Sequence, residues 1–151
     1  MISLKRFKTS AFSKLRLAIY SCALAAIGVS SAQAASCESN FTVEGVPLVT
    51  ALSYKTWEAF PKLDPKKALD RLASAVLAEG FSDMKVDKAF GAITALQETS
   101  GFGRPQTLRV VARKLGGATR VDVIFSVQAG QVAPEDSVRG SVCRVIAAAA
   151  G

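Results

Sequence analysis

The feature that most constrains the fold is "TLRVVARKLGGATRVDVIFSV", Thr107 to Val127, in which two apolar-rich runs flank Gly116 and Gly117. Two glycines accept the backbone angles of a two-residue hairpin turn, so the runs are predicted to pair as antiparallel strands. This pairing gathers the apolar side chains on one face, namely Leu108, Val110, Ala112, Val121, Val123 and Phe125. Because a slip of one residue would mix the two faces, the register supports itself.

The apolar face of this hairpin must pack against another element. The segment "LDPKKALDRLASAVLAEGF" is predicted to form a helix that packs on it. Asp64 is a favourable N-cap, Pro65 suits the first helical position, and Gly80 is a natural stop. Residues at helical spacing are expected to form the buried stripe, namely Leu69, Leu72, Val76 and Leu77.

The other segments complete the predicted order of strand, helix, four strands and helix. "PLVTALSYKTWEAF" is expected to be a strand with Leu52 and Tyr54 facing inward, and "FSDMKVDKAFGAITALQE" two short strands that meet at Lys88–Gly91. Pro134 opens a second helix with the stripe Val138, Val142, Val145 and Ile146, and the final "AAAAG" is expected to fray. The predicted class is α+β, an antiparallel sheet of about five strands with two helices packed on one face.

The N-terminal residues have the organisation of a secretory signal peptide. Basic residues precede the apolar run "LAIYSCALAAIGVS", and Ala32-Gln33-Ala34 forms a small-residue cleavage box. Cleavage between Ala34 and Ala35 is predicted, which places the mature protein in the periplasm or outside the cell. The alternatives are an uncleaved membrane anchor, or a lipid on Cys22 or Cys37, although neither cysteine follows a good lipobox.

Cleavage would divide the chain into a signal peptide (1–34), an N-terminal segment tied by a disulfide (35–47) and a single α+β domain (48–151). It would also remove five basic residues and no acidic ones, so that 14 Lys and Arg face 12 Asp and Glu and the net charge falls from +7 to +2. Most of the positive charge therefore belongs to the export signal, and nucleic acid is not an expected partner.

Two cysteines, Cys37 and Cys143, remain after cleavage. In an oxidising compartment they are predicted to form a disulfide, which closes nearly the whole mature chain and contributes about 4–5 kcal/mol in loop-entropy models. Two free thiols are the alternative. The chain has no histidine, and two sulfurs fall short of the four ligands of a structural metal site, so no metal is expected.

The sequence favours binding over catalysis. Without histidine, Ser-His-Asp and Cys-His arrangements are excluded, and the Gly-rich "SGFGRP" lacks the pattern of a phosphate loop. Paired carboxylates, Glu58 with Asp64 or Glu135 with Asp136, leave glycoside hydrolysis as a minor hypothesis without a diagnostic spacing. We therefore expect a protein that is not an enzyme and needs no cofactor.

The outward face of the hairpin carries Arg109, Arg113 and Arg120 around two apolar residues, Val111 and Ile124. This face is a candidate surface for an acidic protein or an anionic envelope polymer. The alternative is an ordinary solvated face on which Asp122 serves as counter-charge.

The passage "LDRLASAVLAEGFSDMKVDKAFGAITALQE" resembles small bacterial envelope domains of helix-grip type, such as component C of the outer-membrane β-barrel assembly machine. The residues that carry the resemblance are Leu72, Val76, Gly80, Phe81, Asp87, Gly91, Ile93 and Ala95. It implies a non-catalytic binding or assembly module, and it transfers no functional residue. A membrane contact is expected only if the chain is lipidated or uncleaved.

Together these features predict an exported, non-enzymatic binding or assembly module in the bacterial envelope or outside the cell. The alternative is a small secreted inhibitor or immunity protein that blocks an enzyme, which would need a protruding loop such as Thr99–Pro105.

The intact mass of the exported protein tests these expectations together. We expect a chain that begins at Ala35, carries no acyl group and is two hydrogens lighter than its reduced form. A mass that retains residues 1–34, or that includes a fatty acid, would contradict the predicted processing.

Overall fold

The computed structural model describes residues 36–99 and 103–151, which form an α+β structure with six strands and two helices. In chain order the elements are β1 (Thr42–Glu44), β2 (Leu52–Pro61), α1 (Pro65–Ala78), β3 (Ser82–Asp87), β4 (Ala92–Gln97), β5 (Gln106–Leu115), β6 (Ala118–Val127) and α2 (Glu135–Ala147). The strands form one sheet in the order β1-β2-β6-β5-β4-β3, and each neighbouring pair is antiparallel. The predicted signal peptide and its cleavage site lie outside the described residues.

The β5–β6 hairpin has the predicted register. Arg113 lies opposite Arg120 and Val110 opposite Val123, on either side of the turn at Gly116 and Gly117. All six residues assigned to the apolar face are buried, whereas the alternate residues are at least partly exposed. Side-chain alternation and turn chemistry were therefore sufficient to specify this hairpin.

Strand β2 extends the same pattern along the other side of β6. The two strands pair over ten positions, from Leu52 opposite Val127 to Pro61 opposite Ala118. Leu52 and Tyr54 are each 3% exposed on the helix-facing side, as predicted, whereas Trp57 lies on the outer face opposite Asp122.

Both helices contact the apolar face of the sheet. Helix α1 packs mainly against β5 and β4, α2 packs against β2 and β6, and the helices contact each other. The buried stripe of α2 is the predicted one, and α1 buries Ala68, Leu69, Leu72 and Val76. The prediction for Leu77 was wrong: this side chain is 54% exposed, because one step along a helix from Val76 turns away from the buried face. Neither described helix is long and apolar enough to cross a membrane.

The expected strand count of about five was also wrong, because the N-terminal segment contributes β1 at the edge of the sheet. Thr42, Val43 and Glu44 pair with β2, yet all three side chains are exposed. A three-residue strand with no buried position has no hydrophobic alternation to reveal it. The described part of the N-terminal segment, 36–47, is thus held by strand pairing as well as by its cysteine.

Cys37 and Cys143 lie at disulfide distance, as the sequence predicted. Cys37 is joined to Cys143 of α2, and their Cα atoms are 5.6 Å apart. Thr56 donates a hydrogen bond to the carbonyl of Cys37, and the side chain of Asn40 donates to the carbonyl of Trp57 over 2.8 Å. These contacts fasten the N-terminal segment to β2 and to α2.

The chain that follows α2 is ordered by packing, so the expectation of a frayed end was wrong. Ala149 is fully buried, and Nη1 of Arg71 donates to the carbonyls of Ala149 and Ala150 over 3.0 and 2.8 Å. An arginine of α1 thereby satisfies carbonyl groups that a frayed end would leave to solvent.

The turn between β3 and β4 supplies a test of the packing. Gly91 has φ of 64°, and a Cβ there would lie 2.4 Å from the carbonyl oxygen of Ala112. We expect Gly91→Ala to cost about 2–3 kcal/mol in urea unfolding, since it adds backbone strain and a clash with a backbone atom.

Gly117→Ala is the matched control, because nothing lies within 4 Å of a Cβ at Gly117. Its unfolding free energy should stay within about 1 kcal/mol of the parent. Equal losses in the two variants would contradict this account of the β3–β4 turn.

Candidate functional site

A groove opens at one end of the sheet, where β4 and β6 end and β5 begins. Its volume is about 530 Å³, within the range of roughly 300–1,000 Å³ that is typical of small-ligand sites. The groove is bounded by the ends of these strands, by the segment Gln131–Pro134 and by the first two turns of α2.

The floor of the groove is apolar and aromatic. Phe81, Phe125, Val138 and Val142 line it, and each is at most 7% exposed. Phe81 reaches this position because the chain turns at Gly80, and its backbone N–H donates to the carbonyl of Val76. The rings of Phe81 and Phe125 meet edge to face, with centroids 6.0 Å apart, which gives the floor a fixed shape.

Carboxamides form one wall of the groove. Gln97, the last residue of β4, lies opposite Gln106, the first residue of β5, and both line the groove. Gln106 occupies an inward position, is only 8% exposed, and its carboxamide forms no hydrogen bond with the described residues. Its amide nitrogen and oxygen are not among the fully buried polar atoms of the described residues, so they are open to a ligand in the groove.

A third glutamine is held by the neighbouring loop. Nε2 of Gln131 donates to the carbonyl of Arg104 over 3.2 Å, while its Oε1 is buried and has no partner among the described residues. The guanidinium of Arg104 turns away to donate to the carbonyl of Ala129 over 2.9 Å. The loop therefore presents a neutral side chain to the groove and directs its cation elsewhere.

The opposite wall is fixed by polar ties from α2. Glu79, the C-cap of α1, accepts hydrogen bonds from Oγ of Ser141 over 2.8 Å and from Nε and Nη2 of Arg144 over 2.7 Å. The hydrogen bonds from Arg144 hold the pKa of Glu79 below its ordinary value, although burial opposes them. This carboxylate fastens the two helices together beside the groove.

A buried tyrosine positions the segment that leads into α2. Tyr54 donates from its hydroxyl to the carbonyl of Ala133 over 2.7 Å, and burial raises its pKa. The bond connects β2 to the groove edge at Ala133 and Pro134. The start of α2 is therefore set by the sheet rather than by a side-chain cap, since Pro134 provides none.

The groove has an acidic rim. Of the described residues that line it, only Glu98 is charged, and no ion pair joins Glu98 to another described residue. Glu135 and Asp136 begin α2 next to Pro134, and Glu135 is paired with Arg139. This electrostatic environment disfavours anionic ligands and favours neutral or cationic ones.

The three arginines singled out by the sequence do share the outer face of the sheet. Asp122 lies between two of them: its Oδ1 accepts from Nε of Arg120 over 2.8 Å, and its Oδ2 accepts from Nε of Arg113 over 3.3 Å. Arg120 also stacks on Trp57, 4.0 Å from the ring centroid. Arg109 is exposed and has no ion pair with a described residue.

Three of the four carboxylates considered for hydrolysis have structural partners among the described residues, the exception being Asp136. Glu58 accepts from the backbone N–H of Cys37 over 3.2 Å, Asp64 caps α1 by accepting from the N–H groups of Lys66 and Lys67, and Glu135 pairs with Arg139. The described residues contain no cluster of three or more His, Cys, Asp or Glu side chains suited to a metal.

Sequence reasoning missed the groove because its lining comes from segments far apart in the chain. One signal was present: Gln106 occupies an inward position of a strand whose next inward residues are apolar. The loop Thr99–Pro105, considered as an inhibitory loop, borders the groove at Thr99 and Gly103, and residues 100–102 lie outside the described residues.

Comparisons with known proteins leave the function to be argued from these residues. No family model matches the chain, and neither does any curated protein. Among solved structures, the chain is similar to a conserved protein of unknown function from Enterococcus faecalis. The TM-score is 0.42 with 11% sequence identity, over 72% of this chain and 77% of that one.

The hydrogen bonds that Glu79 accepts from Ser141 and Arg144 predict that the stability of the fold depends on pH. The pKa of Glu79 in the folded protein lies below its ordinary value of 4.5, so the charged carboxylate stabilises the fold fully above pH 4.5. This stabilisation is lost as the pH falls through the folded pKa. Urea midpoints at pH 7 and pH 3 should therefore show Glu79→Gln destabilised at pH 7 and closer to the parent at pH 3.

Glu38→Gln is the matched control, since Glu38 is exposed and outside the groove. Its midpoints should follow those of the parent at both pH values. A Glu79→Gln deficit of the same size at pH 3 and pH 7 would refute the role of the charge.

Proposed function

We propose that this chain is an exported, non-enzymatic binding module that holds its ligand in the groove between α2 and the ends of β4, β5 and β6. The observation that carries the proposal is the carboxamide oxygen of Gln131, which lies on the wall of the groove, is buried and has no hydrogen-bond partner among the described residues. A ligand with an apolar body and one hydrogen-bonding edge would cover the floor and satisfy this amide.

The side chains of the groove are suited to binding rather than to proton transfer. Carboxamides and hydroxyls, from Gln97, Gln106, Ser137 and Ser141, donate and accept hydrogen bonds without titrating near neutral pH. Catalysis by a carboxylate pair needs two carboxyl groups on either side of a reacting bond, and Glu98 is the one carboxylate among the described lining residues. This composition favours a binding role.

The exported location is supported by the pattern of residues 1–34 and by the disulfide between Cys37 and Cys143. An oxidising compartment preserves that bond, which anchors α2 to the N-terminal segment. A fixed α2 keeps one wall of the groove in place and lowers the cost of ordering the site when a ligand binds.

A neutral apolar dye tests whether the groove is accessible. We expect N-phenyl-1-naphthylamine to bind the oxidised mature protein with a rise in fluorescence. Ser137→Trp, which places an indole at the groove edge, should weaken binding by at least about tenfold, since the dye and the indole compete for one volume.

Ser74→Trp provides the matched control, because Ser74 is exposed on α1 and does not line the groove. It should retain the dye affinity of the parent within about twofold. Absence of dye binding to the parent, or equal losses in both tryptophan variants, would overturn the groove as the binding site.

A further inference from the structure

The two neighbouring glutamines at the end of the sheet specify the chemistry of a ligand. Gln97 and Gln106 are directly paired across β4 and β5, and directly paired positions bring side chains to within about 5 Å of each other. Both line the groove, yet neither carboxamide forms a hydrogen bond with the described residues. The wall therefore offers two adjacent amides with free donors and free acceptors.

A peptide group is the natural complement of such a carboxamide. A glutamine side chain has two N–H donors and a carbonyl acceptor, and a peptide unit offers one N–H and one C=O. Two amides side by side also fix the direction of a peptide that lies against them, because each can form a donor and an acceptor contact. A ligand with a single polar group would leave one of the glutamines unsatisfied.

The floor next to these amides accepts one apolar side chain. The edge-to-face pair of Phe81 and Phe125, together with Val138 and Val142, forms a dry surface that a polar ligand would not cover favourably. An extended peptide alternates its side chains, so one residue can point to the floor while its backbone lies along the amides. The groove thus combines backbone recognition with a pocket for one residue.

The charge at the rim of the groove determines which charge is favoured in a bound peptide. Glu98 has no ion pair with a described residue, and the described lining includes neither lysine nor arginine. Arg144 and Arg139 lie nearby, but they are committed to Glu79 and Glu135. A basic residue in the ligand would meet an available carboxylate, whereas an acidic residue would be repelled.

We infer that the groove binds an extended peptide segment that places one apolar side chain on the Phe81–Phe125 floor, pairs its backbone with Gln106 and Gln97, and presents a basic residue to Glu98. This inference rests on the proposed binding role of the groove and names its ligand class. It also assigns Gln106 as a residue that contributes to the specificity of the groove.

The test uses blocked peptides with the oxidised mature protein, followed by chemical-shift titration in low-salt buffer. The probes are acetyl-Ala-Leu-Lys-amide and acetyl-Ala-Leu-Glu-amide, with N-phenyl-1-naphthylamine as the non-peptide reference. We expect the lysine peptide to shift the resonances of Gln106 and Ser137 and to bind about fivefold more tightly than the glutamate peptide. Glu98→Gln should reduce that preference to less than about twofold.

Gln106→Leu separates recognition from structure. Because the Gln106 carboxamide forms no hydrogen bond with the described residues, its replacement by leucine should leave the melting temperature close to that of the parent, while affinity for the lysine peptide falls about tenfold. Gln128→Leu, a glutamine that does not line the groove, is the matched control and should bind both probes as the parent does. If Gln106→Leu fails to fold, Gln97→Leu serves as the second variant, with a smaller expected loss of peptide affinity.

The outcomes distinguish the two proposals. Dye binding without any peptide-induced shift in the groove would overturn the peptide assignment and leave the groove as a site for another ligand class. Failure of both the dye and the peptides would overturn both. Peptide affinity that is unchanged in Gln106→Leu, or a preference for the glutamate peptide, would also refute the inference.

Discussion

The alternation of side chains along β5 and β6 is the constraint on which the rest of the structure depends. It places an apolar face on the two central strands, and this face must be covered by the helices. The ten-residue strands extend over about 33 Å, whereas helices of 13 and 14 residues span only about 20 Å. The groove lies where the first turns of α2 meet the ends of β4, β5 and β6.

Fixed ties then determine the shape of the groove. Glu79 binds α1 to Ser141 and Arg144 of α2, and the disulfide binds α2 to the segment before β1. Tyr54 holds the entrance to α2 at Ala133. Because these contacts come from the helices, the sheet and the N-terminal segment, the groove walls are set before any ligand arrives, and binding need not supply the ordering cost.

Sequence-based prediction succeeded where the interactions are local and failed where they join distant parts of the chain. The β5–β6 register could be predicted because a period of two and a Gly-Gly turn act locally, and Asp64 with Pro65 marked the start of α1 in the same way. Strand β1 could not be predicted because none of its three residues is buried, so it shows no hydrophobic alternation. The groove could not be predicted from the sequence, because it depends on where α2 packs on the sheet. The inward position of Gln106 in β5 was the one local signal for it.

The two candidate surfaces differ in whether their polar groups already have partners within the folded chain. On the outer face, Asp122 accepts hydrogen bonds from Arg113 and Arg120, and Trp57 stacks with Arg120, so the charges there are largely compensated without a partner. In the groove, the carboxamide oxygen of Gln131 is buried with no hydrogen bond to the described residues. Burial of an acceptor without a partner carries a desolvation cost. A polar group retained under that cost points to the groove, rather than to the arginine face, as the surface that a ligand completes.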